Sequence, residues 1–312
     1  MTMTMKIDKE NDGVAFNDSA HTYWDVNNPK KEYISVTTLI GSYAQPFDSD
    51  FWSKYKALEK ILDIDVWKDL KKTLLNTHRI TKEILEAYSV DINDLNKEQQ
   101  NILDEWEANK IESCERGTKI HSQLEHSFYN MKDDKPLQKF GLGGKFICKE
   151  GYTKLDLENG VYPEYLISWS TPDNVLNLAG QIDLMVKYGN EVTIVDHKTN
   201  KKIDLKGGFN TVTRGTTKMQ YPLNTVEDCN YGHYELQLST YAFMLQQRHP
   251  EYVIKDLILN HYDHNMKNTL YHCIYRKDEV KRMLADYYKK KSSNKKQQDV
   301  NLSYINMKLP IA

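Results

Sequence analysis

Asp183, Asp196 and Lys198 are the residues of this 312-residue chain whose types and spacing point most directly to chemistry. They lie in two runs, Leu178–Asp183 and Val192–Asn200, both rich in apolar and β-branched residues, with Gly189-Asn190 between them. That pattern spells a β-hairpin. A turn centred on Gly189-Asn190 pairs Tyr188 with Glu191, so partner numbers sum to 379 and Asp183 falls opposite Asp196. Opposed residues hold their Cβ atoms roughly 4.5–5.5 Å apart. Alternation puts Lys198 on the face of Asp196 and sends His197 the other way, with Ile182, Leu184, Val186 and Val195 on a buried reverse face. Two carboxylates that close repel each other unless a cation lies between them. A hard divalent ion with Lys198 beside it is one resolution; a solvated cross-strand cluster is the other.

Other elements must bring further groups to this hairpin. A helix running through Arg116–His126 carries Thr118, His121 and Glu125 on one stripe, offset from the apolar stripe of Ile120, Leu124 and Phe128. Gly117, one turn earlier, permits close approach of another segment or a ligand. Val161–Trp169 reads as a strand in which Glu164 sits among aromatic and aliphatic residues. A charge is costly there unless paired or bound to metal, and a surface edge strand is the alternative. The helix Tyr234–Leu245 places Gln237 and Tyr241 one turn apart while Leu238, Ala242 and Leu245 pack inward. The polar segment 200–232 next to the hairpin contributes Lys201, Lys202, Arg214 and Lys218, which together with Thr118 are candidate nucleic-acid contacts.

Composition bounds these readings. The chain is 28% charged and 11% aromatic, with formal net charge −2, so it lacks the overall basic footprint of a non-specific nucleic-acid binder. Contact with nucleic acid must come from local patches, such as the lysines around the hairpin or the run Lys289–Lys296. Cys114, Cys148, Cys229 and Cys273 form no C-x-x-C pair, which argues against zinc or a disulfide framework and suits a reducing compartment. No apolar run approaches the ~18 residues of a membrane span. With no hydrophobic signal core at Met1–Asp8, the expectation is a cytoplasmic protein.

The rest of the chain reads as short strands at Val14–Phe16, His21–Trp24 and Tyr33-Ile34, then helices starting at Ser35 or Thr37 and at Asp48. Helical segments follow at 64–76, 80–89 and 97–113, where Trp67, Leu70, Leu74, Ile84 and Leu85 read as packing faces. Residues 131–160 read as a loop, Val253–Tyr262 and Thr269–Tyr275 as strands, and Asp278 to about Lys290 as a helix before a basic tail.

The ordered set G-T-x-x-H (Gly117–His121), P-E (Pro163-Glu164), G-x-x-D (Gly180–Asp183), D-x-K-T (Asp196–Thr199) and Q-x-x-x-Y (Gln237–Tyr241) resembles the RecB-like branch of the PD-(D/E)xK nucleases. The resemblance covers roughly residues 110–275 and reaches weakly back to residue 14, where Ser35-Val-Thr-Thr looks like phage-type members. It implies an α/β, restriction-endonuclease-like core, a mixed central sheet flanked by helices, with an N-terminal helical elaboration. The expected division is 1–62 joining the core, 63–109 as a helical insertion, 110–277 as the nuclease core, and 278–312 as a C-terminal helix and basic tail. It also implies Mg²⁺ or Mn²⁺ held by His121, Asp183, Asp196 and the backbone carbonyl of His197, with Glu164 as an additional acidic group. Lys198 would orient or deprotonate the attacking water and stabilise charge on the phosphate. Gln237 and Tyr241 would position the water, Lys198 or the DNA backbone.

Ile182 stands where the superfamily name expects proline, and the cysteines do not match the four-cysteine iron–sulfur pattern of some relatives, so no cluster is expected. The resemblance implies a metal-dependent DNA nuclease, an exonuclease acting on ends or single strands in a bacterial or phage-infected cell. The alternatives are a structure-specific endonuclease or resolvase, and a nuclease-fold module that binds DNA or protein without cutting. No Walker A motif is present, so any helicase or other recombination or replication partner would be a separate polypeptide.

Overall fold

The computed structural model describes residues 9–11, 13–17, 20–28, 30–142, 158–210 and 214–294. Gly143, Gly144 and Cys148 of the expected 131–160 loop, the start of the threonine-rich run at Thr211, and Lys295 and Lys296 of the basic run lie outside them. In chain order the first elements are β1 (Lys9–Asn11), β2 (Val14–Asn17), β3 (Thr22–Asp25) and β4 (Ile34–Ser35). The helices α1 (Val36–Gly41), α2 (Ser49–Ile61), α3 (Ile64–Thr77), α4 (Lys82–Ala87), α5 (Ile92–Tyr129) and α6 (Lys135–Gln138) follow. Next come β5 (Gly160–Ser170), β6 (Asn177–Tyr188), β7 (Glu191–Lys198), β8 (Phe209–Asn210) and β9 (Gly215–Thr216). The chain continues with α7 (Asn230–Arg248), β10 (Val253–Tyr262), β11 (Asn268–His272) and α8 (Lys277–Asn294).

The chain divides into two units, residues 1–44, 119–207 and 218–312 forming the first and residues 45–118 and 208–217 the second. The helical unit thus begins upstream of the 63–109 segment expected from apolar spacing. It buries Phe51, Tyr55, Leu58, Trp67, Leu70, Leu74, Leu85 and Leu95 together. Asp48 starts α2 by accepting a hydrogen bond from the Phe51 amide at 2.9 Å. The expected helix at 97–113 is part of the 38-residue α5, which begins at Ile92.

The first unit is α/β, with a mixed six-stranded sheet flanked by helices. Its strands run β11-β10-β7-β6-β4, with β5 also paired to β6. β5 follows one edge of β6 from Lys187 to Asn177, so β7 and the two-residue β4 share the other edge. β7 pairs with β6 from Tyr188–Glu191 to Leu184–Val195, the register summing to 379, and the ladder ends there. β4 takes up the edge again only at Leu178 and Ala179, so the Gly180–Asp183 stretch of β6 has no strand partner on that side among the described residues.

One face of the sheet packs on α1, α7 and α8 in the largest apolar cluster. The other face packs on Leu124 and Phe128 of α5, Leu137 of α6, and Phe140. Leu236, Leu238, Ala242, Phe243 and Leu245 of α7 are fully buried; each larger side chain contributes about 1.5–3 kcal/mol of transfer free energy. Ser35 caps α1, its hydroxyl accepting from the Thr38 amide at 3.0 Å.

The alternation of β5 and β6 changes phase in mid-strand. Val161, Leu184 and Val186 face the α5–α6 side, whereas Tyr162, Met185, Tyr165, Ile167, Ile182 and Leu178 all belong to the α7 side. The break falls at Glu164, whose φ of 51° lies in the left-handed region, and at Asp183, the two residues left unpaired between two regular stretches of the β5–β6 ladder. Ile182 therefore does not share the reverse face with Leu184, Val186 and Val195, contrary to strict period-two alternation. A left-handed residue rotates the strand and carries the downstream side chains to the opposite face.

Candidate metal centre

The phase change aims Glu164 and Asp183 at one point, which His121 reaches from α5. His121 Nδ1 lies 3.6 Å from Asp183 Oδ2 and 4.0 Å from Glu164 Oε1. Ligand atoms of the three side chains all fall within 4.8 Å of one another. His121 Nε2 is 3.0 Å from the His197 carbonyl oxygen. A carbonyl only accepts, so Nε2 carries a proton, and Nδ1 faces the two carboxylates. Three electron-rich groups converging in this way are stable only around a proton or a cation. Asp183 is further tied to β7, its Oδ2 accepting from the His197 amide at 2.6 Å. Burial alone would raise the Asp183 carboxyl, but His121, Lys198 and His197 outweigh it and hold it below the ordinary range.

Asp196 forms a second group, beside the first. It is almost fully buried and faces α7. Its Oδ2 lies 2.6 Å from Lys198 Nζ, and its Oδ1 accepts from Gln237 Nε2 at 3.1 Å. Oδ2 is buried, and the Lys198 ammonium is what compensates its charge. Burial pushes the Asp196 carboxyl up to about 6, against the pull of Lys198 and together with repulsion from Asp183. Burial works to lower Lys198 and is outweighed by Asp196 and Asp183, so the ammonium is held charged. Lys198 Nζ also lies 4.7 Å from the centre of the Tyr234 ring, and Tyr234 in turn donates to Asn200 Oδ1 at 2.7 Å.

α7 sets this second group. Tyr234, Gln237 and Tyr241 form one stripe at i, i+3 and i+7. Gln237 Nε2 also reaches Tyr241 Oη at 3.2 Å, and the Tyr241 ring lies against Gly180. Gln237 and Tyr241 are both buried. Tyr234 belongs to no motif of the sequence, although i, i+3, i+7 spacing puts it on the stripe of Gln237 and Tyr241.

His197 points away from Asp196, as alternation requires. Its ring stacks on Phe128 with centroids 6.1 Å apart and accepts at Nδ1 from Asn260 Nδ2 at 2.9 Å. Burial lowers it to about 3, so it is neutral. Asn260, its neighbour in the parallel β7–β10 register, is held by Asn268 at 2.6 Å; neither asparagine carries a sequence signal of its own.

The candidate nucleic-acid contacts are spread more widely. Lys201 and Lys202 are exposed beyond β7, with Lys202 paired to Asp204 at 2.8 Å. Lys218 pairs with Glu227, which also accepts from the Gly207 amide. Thr118 and Arg214 belong to the helical unit. There the Thr118 hydroxyl donates to the Cys114 carbonyl at 3.0 Å, and Arg214 is exposed at a φ of 53°. Cys114, Cys229 and Cys273 are free thiols. Among the described residues no helix is long and apolar enough to cross a membrane.

The donor set fits a hard divalent cation, since two carboxylates and one imidazole converge. No protein-family model matches the chain, and no curated protein matches it. The chain is similar to a crystal structure from Eubacterium rectale whose exonuclease name is provisional, at 13% identity and a TM-score of 0.28, covering 92% of this chain and 81% of that one. At that score the likeness carries no argument.

Proposed function

We propose that this chain is a metal-dependent nuclease of the RecB-like PD-(D/E)xK type, hydrolysing DNA phosphodiester bonds as an exonuclease. The observation that carries the reading is the convergence of His121 Nδ1, Glu164 and Asp183 beside the buried Asp196–Lys198 pair. His121, Glu164 and Asp183 would hold Mg²⁺ or Mn²⁺, with Asp196 engaged by Lys198 and the His197 carbonyl by His121 Nε2. When bound, such an ion polarises a phosphoryl oxygen and lowers the pKa of coordinated water.

The protein's own groups supply the rest. Lys198, kept protonated by Asp196, offers positive charge to the phosphate as negative charge builds on its oxygens. It is a poor base in that state, so its role is to hold charge and orient water. Gln237 fixes Asp196 and through it the lysine, while the Tyr234 ring confines the ammonium from the α7 side. The His197 carbonyl sets the tautomer of His121, the usual duty of a group behind a metal-binding imidazole. In the reaction a bond forms from water oxygen to phosphorus, one P–O ester bond breaks, and the departing oxygen takes a proton.

Purified protein with end-labelled linear and covalently closed circular DNA, in Mg²⁺, Mn²⁺ or EDTA, tests the reading. Metal-dependent loss of linear DNA alone is expected. Cleavage of circles would establish an endonuclease, and intact DNA in every metal would overturn the proposal.

A further inference from the structure

A groove of about 870 Å³ opens in the first unit, between the β3–β4 segment, the Asn174–Asn177 turn and the end of α8. His21, Tyr33 and Tyr287 and the lysines Lys30, Lys31 and Lys291 are among the residues that line it. Glu32 is its one acidic lining residue, and Lys31 also pairs with Asp25 at 3.6 Å, so the positive charge of the groove rests mainly on Lys30 and Lys291, on a chain of net charge −2. Local charge opposite in sign to the whole marks a site for an anion. Charge and π-surface are interleaved: Lys31 Nζ lies 5.1 Å from the Tyr33 ring centre and Lys291 Nζ 5.6 Å from that of Tyr287. A nucleotide presents the same pairing, a flat base next to a phosphate.

Asn177 Nδ2 donates to the carbonyls of Glu32 and Asn174, both at 3.2 Å, and so ties together two segments that flank the groove. Asn177 begins β6, and Asp183 lies six residues along the same strand. At about 3.3 Å per residue that is roughly 20 Å, or about six nucleotides of a stacked strand at ~3.4 Å each.

We propose that this groove binds single-stranded nucleic acid, seating unpaired bases on its rings and phosphates on its lysines, upstream of the Asp183 centre. Aromatic platforms in a cationic groove bind single strands with little regard to sequence, because every base has a π-face. A duplex keeps its base faces stacked inward and cannot use them. The inference deepens the nuclease reading and rests on it for its biological sense, but its test is separate.

The test is fluorescence anisotropy of the full chain with a labelled twelve-nucleotide oligothymidylate in EDTA, titrated with unlabelled duplex competitor. Wild-type protein should bind the single strand and be displaced poorly by duplex. Lys291→Glu and His21→Ala should each weaken binding by tenfold or more at unchanged melting temperature. Lys291→Glu should also flatten the dependence of log Kd on log salt by about 0.7, the slope of one phosphate contact on a single strand. Binding unaltered in both variants, or duplex competing as well as single strand, overturns the inference. Metal-dependent hydrolysis by the wild-type protein reads the nuclease proposal alone. Groove-dependent binding without hydrolysis would refute the enzyme and keep the groove, and hydrolysis with indifferent groove variants would do the reverse.

Discussion

The ring edge of Tyr241 lies against the α-carbon of Gly180, so closely that a β-carbon built there would sit 2.5 Å from Cε1. Real β-carbons do not approach that near, so an alanine would force the ring away, and with it the Gln237 contact that reaches Asp196. Gly180→Ala is expected to lower stability by about 1–3 kcal/mol through overpacking and to cut cleavage at least tenfold. In combination with Tyr241→Ala the stability losses should be far from additive, because the two changes share one contact. Additive losses in a denaturant-based double-mutant cycle would show that the two residues do not act together.

Removing either member of the Asp196–Lys198 pair leaves its partner buried without compensation. Lys198→Ala should therefore cost about 3–5 kcal/mol of stability and reduce cleavage at least a hundredfold. Asp196→Asn, which keeps the volume and the Gln237 contact, should be the milder change in stability and comparably severe in activity. Urea unfolding alongside single-turnover cleavage separates the two effects. Near wild-type cleavage in either variant would remove Lys198 and Asp196 from the assigned centre.

The Asp196 carboxyl, pushed up to about 6 from an ordinary 3.8 by burial, predicts opposite pH trends for stability and activity. The native state binds this proton more tightly than the unfolded chain does. Its contribution to stability is therefore complete below about pH 4 and is lost as pH rises through about 6. Activity should run the other way, rising through about pH 6 as the carboxylate forms and secures the Lys198 ammonium. Unfolding free energies of metal-free wild type and Asp196→Asn across pH 4 to 7 should differ in slope in that window; parallel curves would count against the assignment.

Metal binding is read most simply by calorimetry. Mn²⁺ should bind the wild-type chain and raise its stability, by about 2.7 kcal/mol at a hundredfold excess over Kd. His121→Ala should weaken the affinity at least tenfold, since it removes one of three converging groups. An unchanged Mn²⁺ isotherm would return His121 to a structural role.

Glu164 holds its carboxylate in place at the expense of a left-handed backbone, φ 51° in the middle of a strand. Such a conformation costs about 1–3 kcal/mol in a residue other than glycine. Glu164→Gly should leave stability unchanged or improve it by up to about 1 kcal/mol while weakening Mn²⁺ binding. A clear loss of stability would mean that the carboxylate, not the metal, is what the backbone was bent to satisfy.

Much of this arrangement can be read from local pattern. The Gly189-Asn190 turn sets the β6–β7 register through Leu184–Val195, because alternation and turn chemistry are properties of neighbouring residues. The caps at Ser35 and Asp48 are legible for the same reason. The phase change at Glu164 and Asp183 is not, since no residue type there announces a positive φ, and Ile182 is misplaced as a result. Tyr234 and Asn260 were hidden differently. Each is ordinary in its own element, and only the packing of α7 on β7 and the parallel β10 register bring them to Lys198 and His197. The start of α5 at Ile92 follows from a local signal, Asp91 Oδ1 accepting from the Asn93 and Asp94 amides, which weak apolar periodicity does not display.

Every residue of α7 from Glu235 to Leu245 is buried, and the same helix supplies Tyr234, Gln237 and Tyr241. A helix at the middle of the main core cannot detach by a small local opening. Its amides should exchange with solvent deuterium only through global unfolding, on the slowest timescale the chain has. The Asp196–Lys198 end of the centre would then carry the full stability of the protein, in contrast to loops that order only around a ligand. Hydrogen exchange at Gln237 and Tyr241 should accordingly be insensitive to added metal except through the overall rise in unfolding free energy.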